Sequence, residues 1–125
     1  MPGRILIVDD DPEMRELFGE ILALDEHAVA TAAGLDEAIV ANGPEPEVIL
    51  ADAGLAVKGD VPAVGAALAS RFPAAEVVYL ADASNGALKR RLERGRLRHF
   101  ERPFQIEELR DLVNGLLQRR AVTGR

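Results

Sequence analysis

The chain has 125 residues, 48% of them hydrophobic, with a formal net charge of −6 and no cysteine. That length sets a single domain with a real core, the missing cysteines exclude disulfides and thiolate metal sites, and no apolar run approaches the roughly 18 to 20 residues of a membrane span. The start carries no secretory leader pattern, so a soluble, cytoplasmic protein is expected.

The charge is divided unevenly. Residues 1–88 hold 16 acids and 4 bases, whereas residues 89–125 hold 5 acids and 11 bases, so an acidic part precedes a basic one. Ile5 to Val8 is a run of four aliphatic residues, the pattern of a strand buried on both faces. Asp9, Asp10 and Asp11 follow directly. Asp11 before Pro12 makes a good helix cap with proline at the first helical position. Met14, Leu17, Phe18, Ile21 and Leu22 then form a full helical stripe. His27 to Ala32 reads as a short strand, and Leu35 to Ala41 as a short helix stopped by Asn42-Gly43-Pro44. Glu47 to Asp52 is a second buried strand ending in an acid.

Ala53 to Asp60 reads as a loop whose last residue caps a helix over Val61 to Phe72, ended at Pro73. Val77 to Leu80 is the fourth strand and Ala81 to Gly86 a loop. Ala87 to Arg94 is a helix of poor apolar content, with Leu88 and Leu92 as its one apolar pair. Leu97 to Arg102 is the last strand. Ile106, Leu109, Leu112, Val113, Leu116 and Leu117 mark a closing amphipathic helix, so the domain spans residues 1–119 and residues 120–125 are a tail or linker stub.

Five strands alternating with five helices through short loops give an α/β, doubly wound parallel sheet. Ligands of such sheets sit at the carboxyl ends of the strands. That rule brings Asp9, Asp10 and Asp52 into one crevice. A helix N-terminus offsets only part of so much negative charge, and the cluster therefore points to a divalent cation with oxygen ligands.

Three segments together, Ile5-Leu6-Ile7-Val8-Asp9-Asp10-Asp11-Pro12, Val48-Ile49-Leu50-Ala51-Asp52 and Arg102-Pro103-Phe104, carry a resemblance over essentially the whole chain. In their order and spacing the sequence resembles the receiver domain of two-component response regulators. The resemblance implies a flavodoxin-like five-stranded sheet of order 2-1-3-4-5 with five helices. It implies Asp52 as phosphoacceptor and Mg²⁺ held by Asp10, Asp52 and the Gly54 carbonyl, with Asp9 acting mainly through water. The donor would be a histidine kinase or phosphotransfer protein, and the domain would be no enzyme beyond its own phosphorylation and dephosphorylation. Phosphoryl transfer to a carboxylate needs charge neutralisation and alignment more than covalent help, which suits such a site.

The sequence departs from the family in several places. The Thr or Ser that follows the fourth strand is replaced by Ala81, or by Asp82 if the alignment slips by one residue. Arg102 stands where the family has Lys before a proline whose peptide bond is commonly cis. Ala56 replaces a common proline, and the loop glycine arrives one residue early. His99 falls at the aromatic switch position. These losses leave a second reading open, a pseudo-receiver that docks partners without phosphate. A third reading takes Asp9 and Asp11 as the D-x-D pair of a haloacid-dehalogenase-type phosphohydrolase, a family that the residues after Asp11 fit poorly.

Lys89, Arg90, Arg91, Arg94, Arg96, Arg98 and Arg102 place seven of the fifteen bases within fourteen residues. This 89–102 face is either a solvated counterweight to the acidic part or a docking surface for a downstream protein. Direct nucleic-acid binding is not expected, because no aromatics are interleaved and the net charge is negative. No membrane partner is expected.

Overall fold

Ile5–Val8 and Val48–Ala51 are apolar at every position because helices cover both faces of the strands they form. A computed structural model of the chain describes residues 2–58 and 61–122. Its strands are β1 (Arg4–Val8), β2 (Ala28–Ala32), β3 (Val48–Asp52), β4 (Glu76–Asp82) and β5 (His99–Arg102). Its helices are α1 (Pro12–Ala23), α2 (Leu35–Val40), α3 (Val61–Arg71), α4 (Gly86–Arg94) and α5 (Ile106–Val122). All strand pairs are parallel in the order β2-β1-β3-β4-β5, as expected.

The alternation of side chains along each strand divides the core into two layers. Leu6, Val8, Ile49, Ala51, Tyr79 and Ala81 pack with Val64, Leu68 and Leu92 on the side of α3 and α4. Ile5, Ile7, Leu50, Val78 and Leu80 pack with Phe18, Leu22, Leu109, Val113 and Leu116 on the side of α1 and α5. Each valine, leucine, isoleucine or phenylalanine among them contributes about 1.5 to 3 kcal/mol when fully buried.

The helix ends follow from local chemistry. The Asp11 carboxylate accepts the Glu13 N–H at 3.0 Å, the capping role expected of it. α2 is only six residues long, and its last carbonyls are satisfied by a side chain from another helix. Arg71 donates to the Ile39 and Ala41 oxygens at 2.7 and 2.9 Å while its guanidinium lies over the Phe72 ring. α4 ends with Arg96 in the left-handed region, where Arg96 N–H and Leu97 N–H bond back to Glu93 and Leu92. That reversal delays the last strand, which starts at His99 and not at Leu97.

Other boundaries also differ from expectation. Ala53–Lys58 is a 3₁₀ segment where a loop was expected. β4 continues through Ala81 and Asp82, because the ladder to β5 pairs them with Glu101 and Arg102. Leu17 is 44% exposed and Ile106 45%, so both expected stripe residues lie outside the core. α5 runs to Val122, beyond Arg119. Asp60, expected to cap the third helix, Gly59 of the same loop and tail residues 123–125 lie outside the described residues.

At the amino ends of the strands a polar network ties the two layers together. Gly3 N–H donates to Nδ1 of the buried His27 at 2.9 Å, so Nε2 carries the proton and donates to Asn114 Oδ1 at 2.8 Å. Asn114 Nδ2 donates to Asp25 at 3.0 Å, and Arg110 grips the same carboxylate with two bonds of 3.0 and 2.7 Å. These bonds hold the Asp25 carboxyl well below the ordinary carboxylate range, the Arg110 contribution being the largest.

Candidate phosphoryl and metal site

The carboxyl ends of β1 and β3 deliver the acids. As β1 leaves the sheet, Asp9 N–H still bonds the β2 carbonyl of Ala32 at 3.0 Å, which fixes the turn that follows. Asp9, Asp10 and Asp52 each offer a carboxylate oxygen, and these oxygens lie within 4.8 Å of one another. The crevice expected from the strand pattern is therefore formed, by three acids with one buried, one half-buried and one exposed.

Asp9 is the buried member, 2% exposed. One of its oxygens accepts Asp11 N–H at 2.9 Å, while the other, Oδ2, is buried with no hydrogen-bond partner among the described residues. Burial pushes the Asp9 carboxyl above its ordinary range, and the charges of Asp52 and Asp10 push the same way, against the Asp11 N–H and Arg102. An unpartnered anionic oxygen costs free energy unless something positive reaches it. An all-oxygen donor set around such an atom fits a hard divalent cation, Mg²⁺ among them.

Asp52 sits at the end of β3, where its Oδ1 accepts Gly54 N–H at 3.3 Å. A Cβ on residue 54 would stand 3.0 Å from Asp52 Oδ2 and would press this carboxylate aside by a few tenths of an ångström, so glycine leaves it its present position. Arg102 Nη2 also donates to Oδ1, at 3.1 Å. Arg102 closes β5, and its bond to Pro103 is cis, as the resemblance implied. Arg15, from α1, donates to the Asp9 backbone carbonyl at 2.7 Å and supports the acidic turn from outside.

The two candidates at the end of β4 part company. Ala81 is buried in the layer beneath α3 and α4, with no hydroxyl to offer. Asp82 is exposed and pairs in register with Arg102. Its carboxylate accepts Ser84 N–H and Oγ–H at 2.9 and 2.8 Å, and these bonds, with a smaller contribution from Arg102, hold its carboxyl below the ordinary range. Asp82 and Arg102 share a crevice with Met14, Phe18 and Phe104, where the Phe18 and Phe104 rings stack at 6.0 Å. His99 is half-buried, its Nδ1 3.0 Å from the Leu97 carbonyl.

The basic segment is less uniform than its sequence. Lys89 bridges Glu101 at 3.0 Å and Arg98 approaches Glu76 at 3.6 Å, while Arg102 belongs to the acidic site. Arg90, Arg91, Arg94 and Arg96 are exposed and make no ion pair among the described residues.

Sequence reading did not find Arg15, the pairing of Asp82 with Arg102, or the His27 network. The first had a weak signal, a base one helical turn after a capping aspartate. The pairing needed the β4–β5 register. The network joins residues 85 to 89 positions apart, which no local pattern encodes.

No protein-family model matches the chain, and no curated protein matches it. Solved structures do. NtrX from Brucella abortus, crystallised with ADP, is 26% identical with a TM-score of 0.82, over 98% of this chain and 28% of NtrX. The chain thus spans under a third of that protein's length. The chemotaxis protein CheY4 of Vibrio cholerae is 21% identical with a TM-score of 0.75, over 93% of this chain and 99% of CheY4. A CheY-like response regulator receiver domain protein from Methanospirillum hungatei is 17% identical with a TM-score of 0.79, over 98% of this chain and 99% of that protein.

Proposed function

We propose that this chain, a divergent receiver domain of the CheY-like type by structure, accepts a phosphoryl group on Asp52 from a phosphohistidine of a histidine kinase or phosphotransfer protein. The observation that carries the reading is the meeting of Asp9, Asp10 and Asp52 around a buried, unpartnered Asp9 oxygen. A Mg²⁺ held by these three acids and the Gly54 carbonyl would supply the charge neutralisation that transfer to an anionic acceptor requires.

The chain's own residues do the rest. An Asp52 oxygen forms the bond to phosphorus as the bond from the donor's imidazole nitrogen breaks; the electron pair of that bond stays on the nitrogen, and because the other ring nitrogen of the phosphohistidine carries a proton the freed imidazole is neutral. Gly54 N–H orients the acceptor carboxylate. The Arg102 fork, which lies on Asp52 in the cation-free protein, is close enough to take two phosphoryl oxygens once the group is on the acceptor. Asp9 and Asp10 remain unmodified, and Asp11 stays occupied as the α1 cap. The domain acts on no substrate but itself, gaining the phosphoryl group and later losing it to water. Output runs through protein contacts, with the exposed arginines of α4 as the docking face for an acidic segment of a downstream protein and His99 as the switch residue. No helix among the described residues is long and apolar enough to cross a membrane, and we place the activity in the cytoplasm, with the kinase's phosphohistidine.

Two observations favour a pseudo-receiver instead: Ala81 offers no hydroxyl to a phosphoryl oxygen, and Arg102 already partners Asp52. Incubation with acetyl phosphate and Mg²⁺, followed by intact mass measurement, separates the two. A base-labile gain of one phosphoryl group on wild type and none on Asp52→Asn is expected. Unmodified wild type overturns the phosphoacceptor reading.

A further inference from the structure

Arg102 faces a choice of two carboxylates, and the sequence of this chain supplies the second one where the resemblance calls for none. Asp52, Asp82 and Arg102 end three consecutive strands, and the registers Asp52 with Leu80 and Asp82 with Arg102 put all three side chains on the α1 and α5 side of the sheet. The Arg102 guanidinium now lies on Asp52 Oδ1. Asp82 pairs directly across from Arg102, both line one crevice, and the Ser84 bonds hold the Asp82 carboxylate fixed and anionic on its Oδ1 side.

We propose that Asp82 is a second seat for the Arg102 guanidinium, which moves there when a divalent cation takes Asp52, so that Asp82 governs how readily the acidic site gives up its arginine. This rests on the cation-binding part of the function proposed above. A cation and a guanidinium compete for the Asp52 carboxylate, since two positive charges at contact distance on one carboxylate repel. Without another anion in reach, the displaced guanidinium would pass to water and its release would oppose cation binding. With Asp82 across the register, the arginine keeps an ionic partner in both positions. The shift spans one inter-strand spacing, roughly 4.8 Å, which rotation of a long side chain accommodates without moving the backbone.

The test is a double-mutant cycle on cation affinity, read by calorimetric titration of Mg²⁺ or Mn²⁺ into the chelator-stripped chain. Asp82→Asn keeps the shape and is exposed, so the fold survives it. In the presence of Arg102 it is expected to weaken cation binding by about fivefold, the scale of a half-exposed ion pair. In an Arg102→Ala background, where no guanidinium needs a seat, the same change is expected to have less than half that effect on the logarithmic scale. Arg102→Ala alone is expected to tighten cation binding. A second readout is the Nε–H resonance of Arg102, which should shift on addition of Mg²⁺ in wild type and lose most of that shift in Asp82→Asn. Equal weakening by Asp82→Asn in both backgrounds reduces Asp82 to a distant negative charge and overturns the proposal, as does an unmoved Arg102 resonance. Wild type that binds no divalent cation overturns the metal reading itself, and this inference with it.

Discussion

Arg102 reaches Asp52 across an intervening strand: β4 lies between their strands, and the contact closes at 3.1 Å over fifty residues of sequence. Two inter-strand spacings amount to roughly 9.6 Å, a span that only the longest basic side chains bridge. The same guanidinium also counters the charge of Asp9, so a single residue on β5 steadies the acids of β1 and β3.

Asp9→Asn is expected to stabilise the chelator-stripped protein. The folded Asp9 carboxyl titrates above its ordinary range, mainly because it is buried, so folding disfavours its ionised form. The penalty is absent below about pH 4, grows as pH rises from there through the raised folded value, and is complete above it. Urea unfolding at neutral pH should give the variant an advantage of about 1 to 2 kcal/mol, vanishing in acid. Saturating Mg²⁺ should reverse the order at neutral pH, and an advantage unchanged by Mg²⁺ would contradict the ligand role.

Gly54→Ala tests the close approach over the Asp52 carboxylate, the proposed acceptor. The added Cβ meets Asp52 Oδ2 at 3.0 Å, and the carboxylate must turn by a few tenths of an ångström. Stability should change little, since residue 54 is exposed. Labelling of Asp52 by acetyl phosphate should slow by up to about tenfold, because misplaced reacting groups lose rate steeply. Labelling at the wild-type rate would show that the approach does not matter.

Ala81→Ser puts a hydroxyl where the resemblance to receiver domains implies one. Buried in an apolar layer, that hydroxyl should destabilise the unmodified protein by about 1 kcal/mol. With a phosphoryl oxygen to bond, the modified protein should recover that loss, and the phosphorylated fraction at steady state should rise. Intact mass and thermal unfolding of both forms measure the two effects, and a rise in neither fraction nor relative stability rules out a role for position 81.

Asp25→Asn addresses the opposite end of the molecule. Arg110 and Asn114 depress the folded Asp25 carboxyl, so its contribution to stability is present above the ordinary carboxylate value and is lost as pH falls through the depressed one. The variant should therefore melt below wild type at neutral pH, and the gap should narrow only as pH drops below about 4. Arg110→Met should give the same profile and add little to Asp25→Asn, whereas a pH-independent gap would exclude the ion pair as its cause.

Much of this architecture was legible in residue patterns. The β1 and β3 segments betray themselves by uninterrupted aliphatic runs, and Asp11-Pro12 and Asn42-Gly43-Pro44 mark helix limits by local stereochemistry. The acids Asp9, Asp10 and Asp52 could be joined because parallel sheets gather strand ends at one rim. Legibility failed where a boundary or a partner is decided across strands. Ala81 and Asp82 look like loop residues until β5 pairs with them, and Leu17 satisfies the helical stripe yet borders the crevice. His27, Asn114 and Arg110 carry no local mark at all, since each is explained by a group from a different element.

The polar network around Asp25 also constrains the mechanics of α5. Arg110 and Asn114 fasten the helix, on consecutive turns, to the end of α1 and to His27. A helix pinned there resists sliding along its own axis, and Leu116 and Leu117, buried against the sheet half a turn beyond Asn114, hold its following turn in place.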